Sequence, residues 1–110
     1  MNQKDIYLTR FDPALGSEQK GIRPAIIISG ESLNENMDVC IICPLSSKIK
    51  NFPGCFVIPK SESNGLSEDS EVMTFQVRVI SKERFIKKVG IISNRDLERI
   101  KQGLLEVLTY

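Results

Sequence analysis

Arg23 and Pro24 stand together at the start of one apolar run, and Ser46 and Ser47 stand at the end of another. A guanidinium keeps its proton throughout the ordinary pH range and presents a planar fork of donors. Arg23 can therefore grip an oxyanion through two directed hydrogen bonds. The hydroxyl of Ser46 supplies one more donor. Donors of this kind, aimed at the nonbridging oxygens of a phosphoryl group, stabilise charge that grows during attack at phosphorus. Losing one of them typically costs ~10²–10³ in rate. The chain has no histidine. That removes the commonest acid–base group at neutral pH, the commonest zinc ligand and every Ser-His or Cys-His dyad.

Cys40 and Cys43 have a C-x-x-C spacing, and Cys55 makes the cysteine count odd. The run Asp38-Val39-Cys40-Ile41-Ile42-Cys43 reads as a buried strand. Positions three apart on a strand point to opposite faces, so the two thiols could not share one metal there. They read as small core residues, reduced in a cytoplasmic protein. No metal and no cofactor is expected.

The net charge of +1 hides local clusters. Arg78, Lys82, Arg84, Lys87 and Lys88 lie close together in sequence against a single Glu83, whereas Glu62, Glu68, Asp69 and Glu71 form an acidic stretch. A basic patch can hold a polyanion and an acidic one can repel it, although either could be ordinary solvated surface. Gln76 and Arg78 share strand parity and could project to one face, suited to bases or phosphates. Phe52, in a polar loop beside Lys48 and Lys50, could stack on an unpaired base or cover the edge of the core.

The elements that must position these groups are short. At 110 residues and 12.4 kDa the chain is one domain, residues 1–110, with an ordinary 41% of apolar and 26% of charged residues. No stretch nears the ~20 apolar residues of a membrane span, and the first residues carry no export signal. Residues 5–11 alternate as a strand, with Ile6 and Leu8 facing one way and Tyr7, Thr9 and Phe11 the other. Residues 12–22 form a long polar loop, of the kind that often carries function. Strands follow at 23–29, 38–45 and 55–58. The segments 30–37 and 46–54 are connections. Residues 59–69 are turn-rich, with Asn64-Gly65 as the strongest hairpin signal. Residues 71–80 form a strand or strand pair, and 85–92 hold a last short strand. Ser93 caps a helix, with Asp96 three residues on. Leu97, Ile100, Leu104, Val107 and Leu108 make its apolar stripe, and Gly103 weakens it by roughly 1 kcal/mol. The sum is mainly β with α: a small, strongly bent antiparallel sheet or barrel with a C-terminal helix packed on it.

Asp5-Ile6-Tyr7, Phe11-Asp12-Pro13, Gly16-Ser17-Glu18-Gln19, Gly21-Ile22-Arg23-Pro24 and Pro44-Leu45-Ser46-Ser47, with a weaker match at Gln76-Val77-Arg78-Val79-Ile80, resemble the MazF/PemK (Kid-like) family of toxin endoribonucleases. The resemblance implies an SH3-like barrel of the PemK/CcdB type, assembled as a homodimer in the cytoplasm with no membrane attachment. It implies a metal-independent, sequence-specific ribonuclease acting on single-stranded RNA, part of a type II toxin–antitoxin system. A MazE-like antitoxin would inhibit it with a flexible segment lying across the same cleft. Catalysis would rest on Arg23 and on Ser46, where the family usually has threonine. The 2′-hydroxyl would be the nucleophile, leaving 2′,3′-cyclic phosphate and 5′-hydroxyl ends. The substrate-binding candidates are Ser17, Glu18, Gln19, Lys20, Ser47, Gln76 and Arg78. Some relatives carry a basic and an acidic residue where this chain has Met73 and Phe75, so one proposed base is missing, and Asp12 and Glu18 are the remaining nearby carboxylates. Two alternatives stand beside this reading. One is a gyrase-binding toxin of the CcdB type, which lacks the Gly-Ser-Glu-Gln-x-Gly-x-Arg-Pro run. The other is a catalytically silent homologue.

Overall fold

The structure, a computed structural model, describes residues 1–11 and 21–110. Seven strands and two helices follow in order: β1 (Asp5–Arg10), β2 (Ile22–Ile27), α1 (Glu31–Asn36), β3 (Val39–Ser46), β4 (Phe56–Ile58), β5 (Ser70–Val72), β6 (Arg78–Ser81), β7 (Phe85–Ile91) and α2 (Asn94–Thr109). Short 3-10 turns, Thr74–Gln76 and Lys82–Arg84, precede β6 and β7.

All strand pairs are antiparallel, in the order β4-β5-β3-β2-β1-β7. The long β3 bridges two regions. Its first half pairs with β6, and its end, Leu45 and Ser46, pairs with Val72 and Glu71 of β5. The sheet is bent but not closed, since no pairing joins β6 to β7 among the described residues. This is the mainly-β architecture with a C-terminal helix that the sequence predicts.

Side-chain alternation builds a core on each face. On one side Ile6, Ile26, Cys43 and Leu45 meet Leu97 and Ile100 of α2. On the other, Phe11, Ala25, Ile27, Cys40, Ile42 and Ile80 pack together, with Tyr7 and Phe85 against them. The expected parity of residues 5–11 holds: Ile6 faces the first cluster, Phe11 and Tyr7 the second. Cys40 and Cys43 fall in different clusters, as strand geometry requires.

Helix α2 starts as predicted, with the Ser93 hydroxyl accepting from the Asp96 N–H at 3.1 Å. Gly103 is more than a weak point. A Cβ there would lie 2.2 Å from the carbonyl oxygen of Gly54, so its absence lets α2 sit directly on the 47–55 loop. Leu108 departs from the expected stripe. It is 82% exposed, because the last turn runs past the core. Among the described residues no helix is long and apolar enough to cross a membrane.

Three local expectations are corrected. Residues 30–37 hold the helix α1 rather than a plain connection. Its anchor is polar: buried Asn34 donates to the Ser29 carbonyl at 2.8 Å and receives the Ser29 hydroxyl, so apolar periodicity could not announce it. Asn64-Gly65 is not a two-residue hairpin. Asn64 braces the whole β4–β5 connection, accepting from the N–H groups of Ser61 and Leu66 and donating to the Pro59 carbonyl. Residues 71–80 resolve into β5, a 3-10 turn and β6, so Gln76 and Arg78 do not lie on one strand.

Candidate functional site

Strands β2 and β3 pair with Ala25 opposite Pro44, Ile26 opposite Cys43 and Ile27 opposite Ile42. Carried two residues further, this register sets Arg23 across from Ser46. Both share the face of Ala25 and Ile42, and both line one cavity of about 400 Å³. Pro24 fixes the backbone next to Arg23, so a flexible side chain grows from a stiff stem.

Ser46 is half-buried, and its hydroxyl oxygen accepts from the Lys48 N–H at 3.2 Å, closing a tight turn. Among the described residues its proton meets only the Lys48 carbonyl, at 3.5 Å, a contact that an incoming anionic oxygen would outcompete. Lys48 and Lys50 follow along the loop and line the same cavity. Three cations therefore border it, and no carboxylate does among the described lining residues. Gln76 from the first 3-10 turn completes the polar lining.

The loop bearing the lysines is held from beneath. Glu71 of β5 is fully buried opposite Ser46. Its two carboxylate oxygens accept from the N–H groups of Lys50, at 2.8 Å, and Phe52, at 3.1 Å. Between these anchors Asn51 adopts the left-handed region, with φ of 55°. Glu71 was expected as part of an acidic surface stretch. It is instead an internal clamp, which nothing in its sequence neighbourhood announces.

The expected basic cluster disperses. Lys82 donates to the Asn34 carbonyl, Lys88 pairs with buried Asp5 at 3.1 Å, and Arg84 donates to the Arg10 carbonyl at 3.3 Å. Arg78, opposite Ile42, stands 5.7 Å from the ring centre of buried Phe11. It lies on the same face as Arg23 but beside the cavity. Ser47, one residue past Ser46, lines a neighbouring cavity of about 320 Å³ together with Lys87 and Arg23. Ser17, Glu18, Gln19 and Lys20, with Asp12, lie outside the described residues.

Phe52 and Phe75 flank the cationic side of the cavity, their ring centres 4.9 Å apart. Sequence reasoning missed Lys48 and Lys50 as site residues. Their alternation with Phe52 after the Ser-Ser pair was the available signal. Of the thiols, burial pushes Cys43 up to about 12, with Cys55 adding to it, and burial also raises Cys40 against the pull of Lys82. Neither is a ready nucleophile near neutrality. The arrangement is suited to holding a phosphodiester, with a fork and a hydroxyl at one phosphate and ammonium groups for its neighbours.

A family model described as the PemK-like, MazF-like toxin of type II toxin–antitoxin systems matches residues 2–108. Endoribonuclease MazF of Staphylococcus saprophyticus subsp. saprophyticus is 29% identical over 106 residues, covering 94% of this chain and 88% of that protein. Among solved structures, MazF from Deinococcus radiodurans superposes with a TM-score of 0.86 at 22% identity, covering 100% of this chain and 97% of the other. An endoribonuclease in complex with its cognate antitoxin, from a mycobacterial species, superposes with a TM-score of 0.77 at 17% identity, covering 98% and 94%.

Proposed function

The chain belongs to the PemK-like, MazF-like toxins of type II toxin–antitoxin systems, which are endoribonucleases, and from that premise we propose that it cleaves single-stranded RNA at a preferred sequence, without a metal ion, using the substrate's own 2′-hydroxyl. The observation that carries the proposal is the placement of Arg23 across from Ser46 in one cation-lined cavity. In the step proposed, the 2′-oxygen bonds to the adjacent phosphorus as its proton passes to solvent water. The bond from phosphorus to the 5′-oxygen breaks, and that oxygen takes up a proton from water. The products are a 2′,3′-cyclic phosphate and a 5′-hydroxyl. Arg23 binds the nonbridging oxygens as their charge grows, and the Ser46 hydroxyl donates to the same phosphate. Lys48 and Lys50 hold the flanking backbone. The cavity's described lining offers no carboxylate as a base for the first proton transfer. Asp12 and Glu18 lie in the 12–20 segment that precedes Arg23 in sequence.

The same cleft would take the inhibitory segment of a MazE-like antitoxin, in competition with RNA. The active form is a homodimer, as symmetric pairing is the commonest assembly. The test is a defined transcript incubated with purified protein in EDTA, followed by mapping of the ends. Discrete fragments ending in cyclic phosphate are expected. Arg23→Ala and Ser46→Ala should each lower the rate by about 10²–10³, while Ser46→Thr, which keeps the hydroxyl, should stay close to the parent. Intact RNA with the parent protein, or full cleavage by Arg23→Ala, would overturn the reading. Intact RNA together with a trapped gyrase complex would mark the non-cleaving alternative.

A further inference from the structure

We propose that Phe52 and Phe75 form a stacking subsite for one unpaired base of the bound strand, which makes them specificity-determining residues. The inference rests on the ribonuclease reading for its substrate and on the geometry for the rest. The two rings touch each other, yet Phe52 is 50% and Phe75 38% exposed, so their faces are not absorbed by the core. They come from different elements, Phe52 from the β3–β4 loop and Phe75 from the 3-10 turn after β5. The backbone beneath each is anchored before any ligand arrives. The Phe52 N–H is held by the buried Glu71 carboxylate, and the turn of Phe75 is tied to the loop by the Thr74 hydroxyl donating to the Gly54 carbonyl at 2.9 Å. An anchored backbone lowers the cost of ordering the platform on binding.

The setting selects the occupant. The rings share a cavity with Arg23, Lys48 and Lys50. Aromatic faces beside ammonium and guanidinium groups are the combination that holds single-stranded nucleic acid: the cations track phosphates and the rings take bases. The rings also border a mostly apolar hollow of about 500 Å³ against the end of α2. A second copy of this chain is the competing occupant.

The probe is a fluorescein-labelled 12-nucleotide DNA strand, whose missing 2′-hydroxyls prevent cleavage, and the same strand with single abasic positions. Binding is measured for the parent, Phe52→Ala, Phe75→Ala and Phe52→Tyr, with thermal unfolding and molecular mass recorded for each. Phe52→Ala and Phe75→Ala should each weaken binding about ten-fold, and Phe52→Tyr should bind like the parent. One abasic position should abolish the difference between parent and Phe52→Ala. On cleavable RNA the alanine variants should raise KM and blur the cleavage-site preference. Unchanged affinity in both alanine variants would overturn the proposal, as would weakened binding that tracks loss of dimer mass. RNA cleaved by the parent but with ring variants unaltered defeats the subsite alone, whereas a parent that cleaves nothing defeats the ribonuclease reading while the DNA binding still reports on the rings.

Discussion

Cys40 and Cys43 show how much a single residue's parity decides. Three positions apart on β3, they point into separate cores, and neither can act with the other. That was legible because strand alternation has a period of two. Arg23 and Ser46 came forward differently, through the resemblance of the Arg-Pro pair and the Ser-Ser pair, in order, to the MazF/PemK motifs. The burial of Cys43 also has a consequence at alkaline pH. Its thiol is raised from 9.0 to about 12, so between those values the unfolded chain has released a proton that the folded chain keeps. The stability due to the neutral buried thiol is complete below pH 9 and falls as pH rises toward 12, by about 1.4 kcal/mol per pH unit for this one group. Urea unfolding at pH 8, 9, 10 and 11 should show a shallower alkaline decline for Cys43→Val than for the parent, and equal slopes would refute the assignment.

Elements anchored by polar atoms were the ones the sequence concealed. Helix α1 hangs on Asn34, the β4–β5 connection on Asn64 and the 47–54 loop on Glu71, and none of these produces a hydrophobic period. Helix α2, with a capping serine and apolar residues at helical spacing, was plain by contrast. Glu71 matters most, because the loop it clamps carries Lys48, Lys50 and Phe52. Leaving its two backbone donors unmet in a buried place should cost about 1–3 kcal/mol for each. Glu71→Gln keeps one acceptor oxygen and Glu71→Ala keeps none, so Glu71→Ala should be the more destabilised in a thermal melt. The amides of Lys50 and Phe52 should then exchange with solvent faster than those of β2. A positioning role also requires that Glu71→Gln, where it still folds, raise KM for RNA more than it lowers kcat. A uniform loss of stability with parent-like amide protection in this loop would count against the clamp.

Across the whole molecule, charge is placed rather than accumulated. A net charge of +1 promises no polyanion site, and in the densest basic run of the sequence Lys82 and Arg84 turn to carbonyls, Lys88 to Asp5 and Arg78 to Phe11. The bent sheet instead brings Arg23 and the distant loop of Lys48 and Lys50 around one cavity. That gathering needed the β2–β3 register and the β5 clamp together, which is why it could not be counted from sequence. It makes a quantitative expectation. Each phosphate neutralised on a single strand contributes about 0.7 to the slope of log affinity against log salt concentration. If these three side chains supply the contacts, the non-cleavable strand should bind with a slope near −2. Lys48→Ala and Lys50→Ala should each reduce the slope by about 0.7. Lys101→Ala, which removes a cation paired with Glu98 on α2, should leave it unchanged. Equal slopes for all three variants would place the phosphate path elsewhere on the protein, whatever the fate of the cleavage chemistry.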